Sequence, residues 1–432
     1  MQEILTDLLV VGGGGAALRA AIEAHESGVK VLIVQKGIGS TAYKVAETAG
    51  YNSPDGQVDE SDNPSEFKKD ILEAALGTSD EKLVDILAEE AMETVEYLEN
   101  LGVPFEYDQD KYLEVIGCFA NKPRMHIIKG HGEPIVKALK DKVVQYGITI
   151  KHDTMVTKLL TDEGKIVGAV CIDIKDNQLY LVKCKAIFLG TGGAGQLFKF
   201  NHNPPDITGD GYVLALKAGA SLVNMEFMQS GLGVIKPLKV NFNNWIWAGY
   251  PKILNKNGEE FLHKYLPEGI TLEAVMNDKS MHYPFSSRDL SKYIEASIHK
   301  EILAGNGTEN GGVYVDFSPL LDIPLEEMPD HMAKLWPMTK AFWEENGVDL
   351  RKDKVEISTF GHAINGGIRI NEYGGSDIIG LYAAGETAGG PHGADRLGGN
   401  MLVTCQVFGE RAGKDAASYI KDVIDENDQV LE

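Results

Sequence analysis

Residues 7–36 read DLLVVGGGGAALRAAIEAHESGVKVLIVQK, and this stretch decides the fold. Leu8 to Val11 is a short, wholly apolar run of the kind a buried strand makes, and Val29 to Val34 is a second. Between them Ala16 to Glu26 is Ala-rich with helical spacing, so the unit reads strand, helix, strand. Four glycines sit at the first junction. Gly12 permits a tight turn, and Gly14 and Gly15 let a ligand phosphate approach the backbone. Ala17, at the third glycine position of the usual GxGxxG, is small enough for close helix–strand packing. The helix start behind the glycines offers unpaired N–H groups and a positive dipole end, which suit a pyrophosphate. A dinucleotide site is therefore expected here. The position that usually carries a ribose-binding carboxylate is Gln35, followed by Lys36; Gln can still hydrogen-bond a hydroxyl, without charge.

Composition narrows the class. The chain has 432 residues, is 43% hydrophobic and carries a net charge of −23. That length supports two or three domains, and that charge argues against nucleic acid, whose phosphates need a basic face. The four cysteines (Cys118, Cys171, Cys184, Cys405) show no CxxC or cluster spacing. No metal centre is expected, and reduced thiols point to a cytoplasmic protein. No apolar run has membrane length, so no membrane span is expected.

Further along, GIGSTAYKVAETAGYN (37–52) reads as a ligand-hugging loop, and an acidic stretch from Asp55 to Asp62 leads into helices near Pro64–Leu76 and Asp80–Leu101. A helix over Gly132–Tyr146 precedes three strands, Ile148–His152, Lys165–Ile174 and Gln178–Lys183, taken together as a β-meander. A buried strand, Ala186–Leu189, runs into GTGGAG (190–195). NPPDITGDG (203–211) opens a helix at Asp210, which fits either a helix cap or a ligand-facing carboxylate. Residues 231–350 hold all four tryptophans and lack glycine-rich strand ends; they read as an inserted lid. Glycine-rich signals resume at 361–367 (GHAINGG), at Gly385-Glu386 and at 391–400 (PHGADRLGGN). The last of these opens a long helix.

These motifs, in this order, resemble the flavoprotein subunit of the succinate dehydrogenase/fumarate reductase family: VVGGGGAAL, GTGGAG, TGDG, Ser287-Arg288-Asp289, His362 with Gly366-Gly367, Gly385-Glu386, and HGADRLGGN, where the family pattern reads HGANRLGGN. The resemblance covers nearly the whole chain. It implies an α/β architecture: a Rossmann-like FAD-binding domain in two parts, 1–230 and 351–432, with an α+β capping domain, 231–350, inserted between them. By position, Gly12, Gly14, Gly15, Ala17, Gln35, Lys36, Ser40, Thr48, Gly50, Gly192, Asp210, Glu386, Met401 and Leu402 would hold FAD. A helix start at Gly399–Met401 would also stabilise the anion that forms on flavin reduction. Tyr43 falls about where a branch of the family carries a flavin-tethering histidine, so non-covalent FAD is expected.

The resemblance also implies the reaction, hydride transfer to or from a C=C conjugated to a carboxylate or carbonyl. His362 and Arg396 would hold one end of the substrate, and Arg288 falls at the family's proton donor. At the other end the family places a histidine and a TExxR segment; here Gly231, Asn244 and Trp247 stand near those positions. The second carboxylate clamp is thus expected to be missing. Gly231, Trp247, Tyr283 and His392 are candidate substrate contacts in a pocket for something bulkier than fumarate, with Lys236, Lys239 or His282 as cations that could restore the clamp. The expected partners are a small unsaturated carboxylate or carbonyl compound and a separate electron donor or acceptor, such as a reductase or an iron–sulfur protein. The alternatives are a soluble fumarate reductase or succinate dehydrogenase, an L-aspartate oxidase-like enzyme and a non-catalytic flavoprotein that relays electrons.

Overall fold

The computed structural model describes residues 2–39, 41 and 43–429, with side chains to residue 423. Its centre is a five-stranded parallel sheet in the order Leu381–Ala383, Ala186–Leu189, Leu8–Val11, Val31–Val34, Thr149–Lys151. The three inner strands are buried at every residue. This is why they read as unbroken apolar runs: helices cover both faces of a parallel sheet. The helix Gly15–Glu26 crosses beneath, and the helix Asn400–Gln429 packs along it. Their approach is close because both surfaces are small. A Cβ on Gly409 would lie 3.0 Å from the Ala16 carbonyl oxygen, and one on Gly413 would lie 2.5 Å from that of Ala20.

The expected meander is differently composed. Thr149–Lys151 pairs in parallel with Val31–Val34 at the edge of the central sheet. The sheet beside it starts at Thr154–Asp162 and continues antiparallel through Lys165–Asp173 and Leu179–Lys183, then adds the strand Gln2–Leu5 in parallel. A two-residue corner separates the two sheets. Within it Asp153, at φ 51°, turns the chain between Lys151 and Thr154, and a single left-handed residue leaves little trace in a periodicity pattern.

A second body rises over the carboxyl ends of the central strands. Its five-stranded antiparallel sheet runs Val240–Asn241, Met228–Lys236, Val355–Ile364, Val313–Asp316, Lys252–Leu254. Helices Leu272–Met281, Lys292–Glu301 and Asp330–Glu345 flank it. Its core holds Trp247, Phe242, Phe261, Phe317, Trp336 and Trp343, and Val115 and Ile127 join it from the first segment. The sheet's longest strands, Met228–Lys236 and Val355–Ile364, lie across or outside the limits of 231–350 read from composition.

Between the two bodies a small sheet orders Thr48–Asn52, Pro123–Lys129 and Glu114–Ile116. Beside it the wholly buried Arg124 binds both Asp62 oxygens through Nε (3.1 and 3.0 Å) and Asp70 through Nη1 (2.5 Å). Those pairs tie the acidic loop to the helix Pro64–Ala75. No described helix is long and apolar enough to cross a membrane.

Candidate active site

One long cavity follows the carboxyl ends of the parallel strands and continues under the second body. Its first part is a phosphate-scale cradle. Gly12 adopts φ 125°, open to glycine, and any side chain there would strike the carbonyl of Gly190 on the neighbouring strand end. Gly14 differs: at φ −89° any residue fits, and a Cβ would meet only Thr41 Oγ1, at 3.4 Å. The described protein atoms therefore do not demand glycine at 14, whereas a phosphate resting on this turn would. The helix Gly15–Glu26 has no side-chain cap from Gly14, and its first N–H, on Gly15, makes only a long contact to Thr41 Oγ1 (3.5 Å), so the helix start can still turn toward an anion. Gly15 lines the cavity, and Ala17 lies behind it, packed against Gly190.

Gln35 ends its strand pointing at the cradle. Its Nε2 meets His152 Nδ1 at 2.9 Å, while the buried Oε1 has no partner among the described residues. An orphaned carbonyl oxygen in this place suits a ribose hydroxyl. Lys36 Nζ contacts Asp210 Oδ2 at 2.5 Å and Thr208 Oγ1 at 2.7 Å. Asp210 is the first residue of its helix, after a Gly209 cap, so the capping alternative does not hold. Thr48, Gly50, Gly192, Glu386, Met401 and Leu402 all line the same cavity. Glu386 accepts from Ile364 N at 3.0 Å, and burial raises its pKa. Ser40 lies outside the described residues. The described residues among 35–50 and the strand-end glycines thus offer what an extended FAD needs: bare backbone, a weakly capped helix start and unused hydrogen-bonding atoms.

Beyond the cradle Arg396 is the centre of the site. It is buried, donating through Nε to Gln229 Oε1 (3.1 Å), through Nη1 to Leu397 O (2.8 Å) and through Nη2 to His362 Nε2 (3.3 Å). None of these acceptors is charged, and no carboxylate among the described residues forms an ion pair with it. Burial, and then Arg396 itself, push the His362 pKa well below its usual value, so the imidazole is neutral. Since Nε2 accepts from the guanidinium, the His362 proton sits on Nδ1.

The far wall is neutral and aromatic. The Tyr283 ring lies 5.1 Å from that of His362, and His202 stacks on Phe360 at 4.3 Å. Asn241 Oδ1 accepts from the Tyr283 hydroxyl (3.0 Å) and contacts His202 Nδ1 (2.9 Å). Burial lowers His202 and His131, both on the wall, to about 4. Neither histidine stood out in the sequence. Only GHG at 130–132, just past a strand end, hinted at His131.

Three of the four expected substrate contacts stand elsewhere. Trp247 is fully buried in the core of the second body, its ring edge-on to Phe242, because the turn Asn244–Gly249 directs it inward; Trp245 reaches the cavity instead. Gly231 is screened from the cavity: a Cβ there would lie 3.3 Å from Cε1 and Cζ of Tyr283, whose ring fills that space. His392 is buried away from the wall, its pKa lowered to about 3. Arg288 is exposed, held over the Phe119 ring (4.6 Å) and bonded to Asp395 Oδ2 at 3.1 Å. Lys236, Lys239 and His282 are also absent from the wall, and His282 is bonded to Asp289 Oδ2 at 2.9 Å.

Known proteins share this fold. Residues 7–402 match the family described as FAD binding domain. A fumarate reductase (CoM/CoB) subunit of Methanothermobacter marburgensis is 34% identical, over 98% of this chain and 76% of its own. L-aspartate oxidase of Agrobacterium fabrum is 30% identical, over 95% and 73%. The solved Mycobacterium smegmatis Sdh1 in complex with UQ1 superposes with a TM-score of 0.81 at 30% identity, covering 100% of this chain and 73% of that one. The chain is an FAD-dependent oxidoreductase and belongs to the fumarate reductase/succinate dehydrogenase flavoprotein family.

Proposed function

We propose that the enzyme reduces, or in the reverse direction forms, a C=C bond conjugated to one carboxylate or carbonyl, in a substrate bulkier than fumarate. The observation that carries this reading is the buried, ion-unpaired Arg396 facing a far wall with no cation among its described residues. A buried guanidinium without a counter-charge is costly, and a bound carboxylate relieves it. A second carboxylate on the same substrate would meet Tyr283, Asn241, Trp245 and Phe360, none of them charged.

FAD supplies the hydride, or receives it. Arg396 and His362 Nδ1–H hold the carbonyl or carboxylate oxygen and draw charge onto it, which makes the β-carbon electrophilic. A proton must then reach the α-carbon. Arg288 is the proposed donor. Its partner Asp395, where the family pattern has asparagine, accepts from Arg288 and has a pKa raised by burial, which supports it as the group that resupplies the proton. The Tyr283 hydroxyl is the second reading for this step, because it already lies on the cavity wall. Electrons come from a separate protein or reduced carrier. The relative named as one subunit of a reductase supports this, as does the lack of any cluster-type cysteine spacing here.

The test is anaerobic reoxidation of the reduced enzyme by enoates and enones, followed by flavin absorbance. A cinnamate-like acid is expected to have a higher kcat/KM than fumarate; a clear preference for fumarate would falsify the proposal. Fast reoxidation by air alone would instead favour oxidase chemistry like that of the L-aspartate oxidase relative.

A further inference from the structure

The small sheet behind the flavin cradle carries a second constellation. Cross-strand registry sets Tyr51, His126 and Glu114 side by side across its three strands. Successive side chains on a strand alternate faces. Met125 and Ile127 line the cavity, so His126 points to the reverse face, with Glu114 directly opposite on the next strand. Asp55 joins them from the loop that follows Thr48–Asn52. One atom from each converges: His126 Nε2 lies 3.1 Å from Glu114 Oε1 and 3.3 Å from Asp55 Oδ2, and all three ligand atoms fall within 4.8 Å of one another.

We propose that Asp55, Glu114 and His126 bind one divalent transition-metal ion. Although burial opposes it, the carboxylates beside His126 raise its pKa, as they would for an imidazolium between two acids, and three observations support a metal ion instead. His126 and Glu114 are buried, yet neither His126 Nε2 nor Glu114 Oε1 has a well-directed hydrogen bond among the described residues, so the ring nitrogen points between the carboxylates and is aligned with neither. Ligands bound at about 2.1 Å are spaced about 3.0 Å apart on an octahedral face and about 3.4 Å apart on a tetrahedral one, which brackets the two observed separations. The donors are also held in place. Asp55 Oδ1 accepts from Gln57 N at 3.0 Å, leaving Oδ2 for the ion, and Tyr112 stacks on the imidazole at 4.4 Å. Two carboxylates and a neutral imidazole balance a 2+ charge, and the nitrogen donor favours Zn²⁺ or Mn²⁺ over Mg²⁺ or Ca²⁺. The ion would clamp the acidic loop and two strands directly behind the cavity wall.

The experiment uses the full chain loaded with FAD. Metal content is measured by plasma mass spectrometry, and thermal unfolding is followed before and after EDTA and on adding back Zn²⁺ or Mn²⁺. About one equivalent per chain is expected, with a melting temperature that falls with EDTA and recovers saturably. Asp55→Asn, at the more exposed edge of the site, should weaken binding about tenfold or more, and His126→Gln more still. If wild type neither carries nor saturably binds either metal, or if folded Asp55→Asn binds as wild type does, the proposal is overturned. If both variants fail to fold, the wild-type stoichiometry and its reversal by EDTA decide alone.

Discussion

At the residue scale, the proposed roles of Arg396 and His362 rest on geometry more than on charge. Arg396→Lys keeps the positive charge but loses the planar fork, so it cannot hold Gln229, Leu397 O and His362 together while also gripping a substrate oxygen. Loss of one such donor in a closed site costs about 10²–10³ in rate. Steady-state kinetics at unchanged FAD content should show that fall; activity near wild type would remove Arg396 from the role. His202 provides a test in acid. Its folded pKa is about 4 against an ordinary 6.5, so between those values the unfolded chain binds a proton that the folded one refuses. The neutral ring thus contributes stability above pH 6.5 that is lost as pH falls toward 4, at about 1.4 kcal/mol per pH unit. His202→Gln should therefore lose less stability than wild type on going from pH 7 to pH 5, as seen in melting temperature. Equal slopes would contradict a buried neutral imidazole.

At the scale of elements, close contact between the helices Gly15–Glu26 and Asn400–Gln429 depends on missing side chains. Gly413→Val places a branched side chain where even a Cβ lies 2.5 Å from the Ala20 carbonyl oxygen. Backbone must move, and overpacking of this kind costs about 1–3 kcal/mol. Denaturant unfolding of the FAD-free protein measures it directly. Legibility from sequence differs sharply between elements. Leu8–Val11 and Ala186–Leu189 could be read to the residue, because burial on both sides leaves an unbroken apolar run. The pairing of Met228–Lys236 with Val355–Ile364 could not, since more than a hundred residues separate the strands and neither names its partner. The same limit explains the tryptophans. Whether Trp245 or Trp247 faces the cavity depends on a short 3₁₀ turn, over which helical and strand periodicities are silent. His152, beside Gln35, was missed because it follows the neighbouring edge strand Thr149–Lys151, more than a hundred residues further along the chain.

At the scale of the whole molecule, the cradle is made of strand ends, loops and a helix start that offer hydrogen bonds to FAD, and the family resemblance puts Tyr43 about where one branch carries a tethering histidine. Acid precipitation should therefore release all the flavin into the supernatant. Yellow colour kept by the pellet would contradict the non-covalent assignment. Gly14→Val should lose FAD while the chain still folds, since no described protein atom nearer than 3.4 Å opposes the new Cβ. Circular dichroism together with the flavin-to-protein absorbance ratio separates those outcomes.

The order of strands in the central sheet has a consequence for biosynthesis. Leu8–Val11 is made well before the strand Leu381–Ala383 and the helix from Asn400 that complete its sheet and cover its helix. The second body, whose core draws mainly on residues 232–357, can form earlier, while the nucleotide cradle waits for the segments from Leu381 onward. Nascent chains stalled before Leu381 should thus retain no flavin, whereas chains extended past the helix from Asn400 should acquire it. Flavin fluorescence on arrested ribosomes would time the moment at which the cofactor enters.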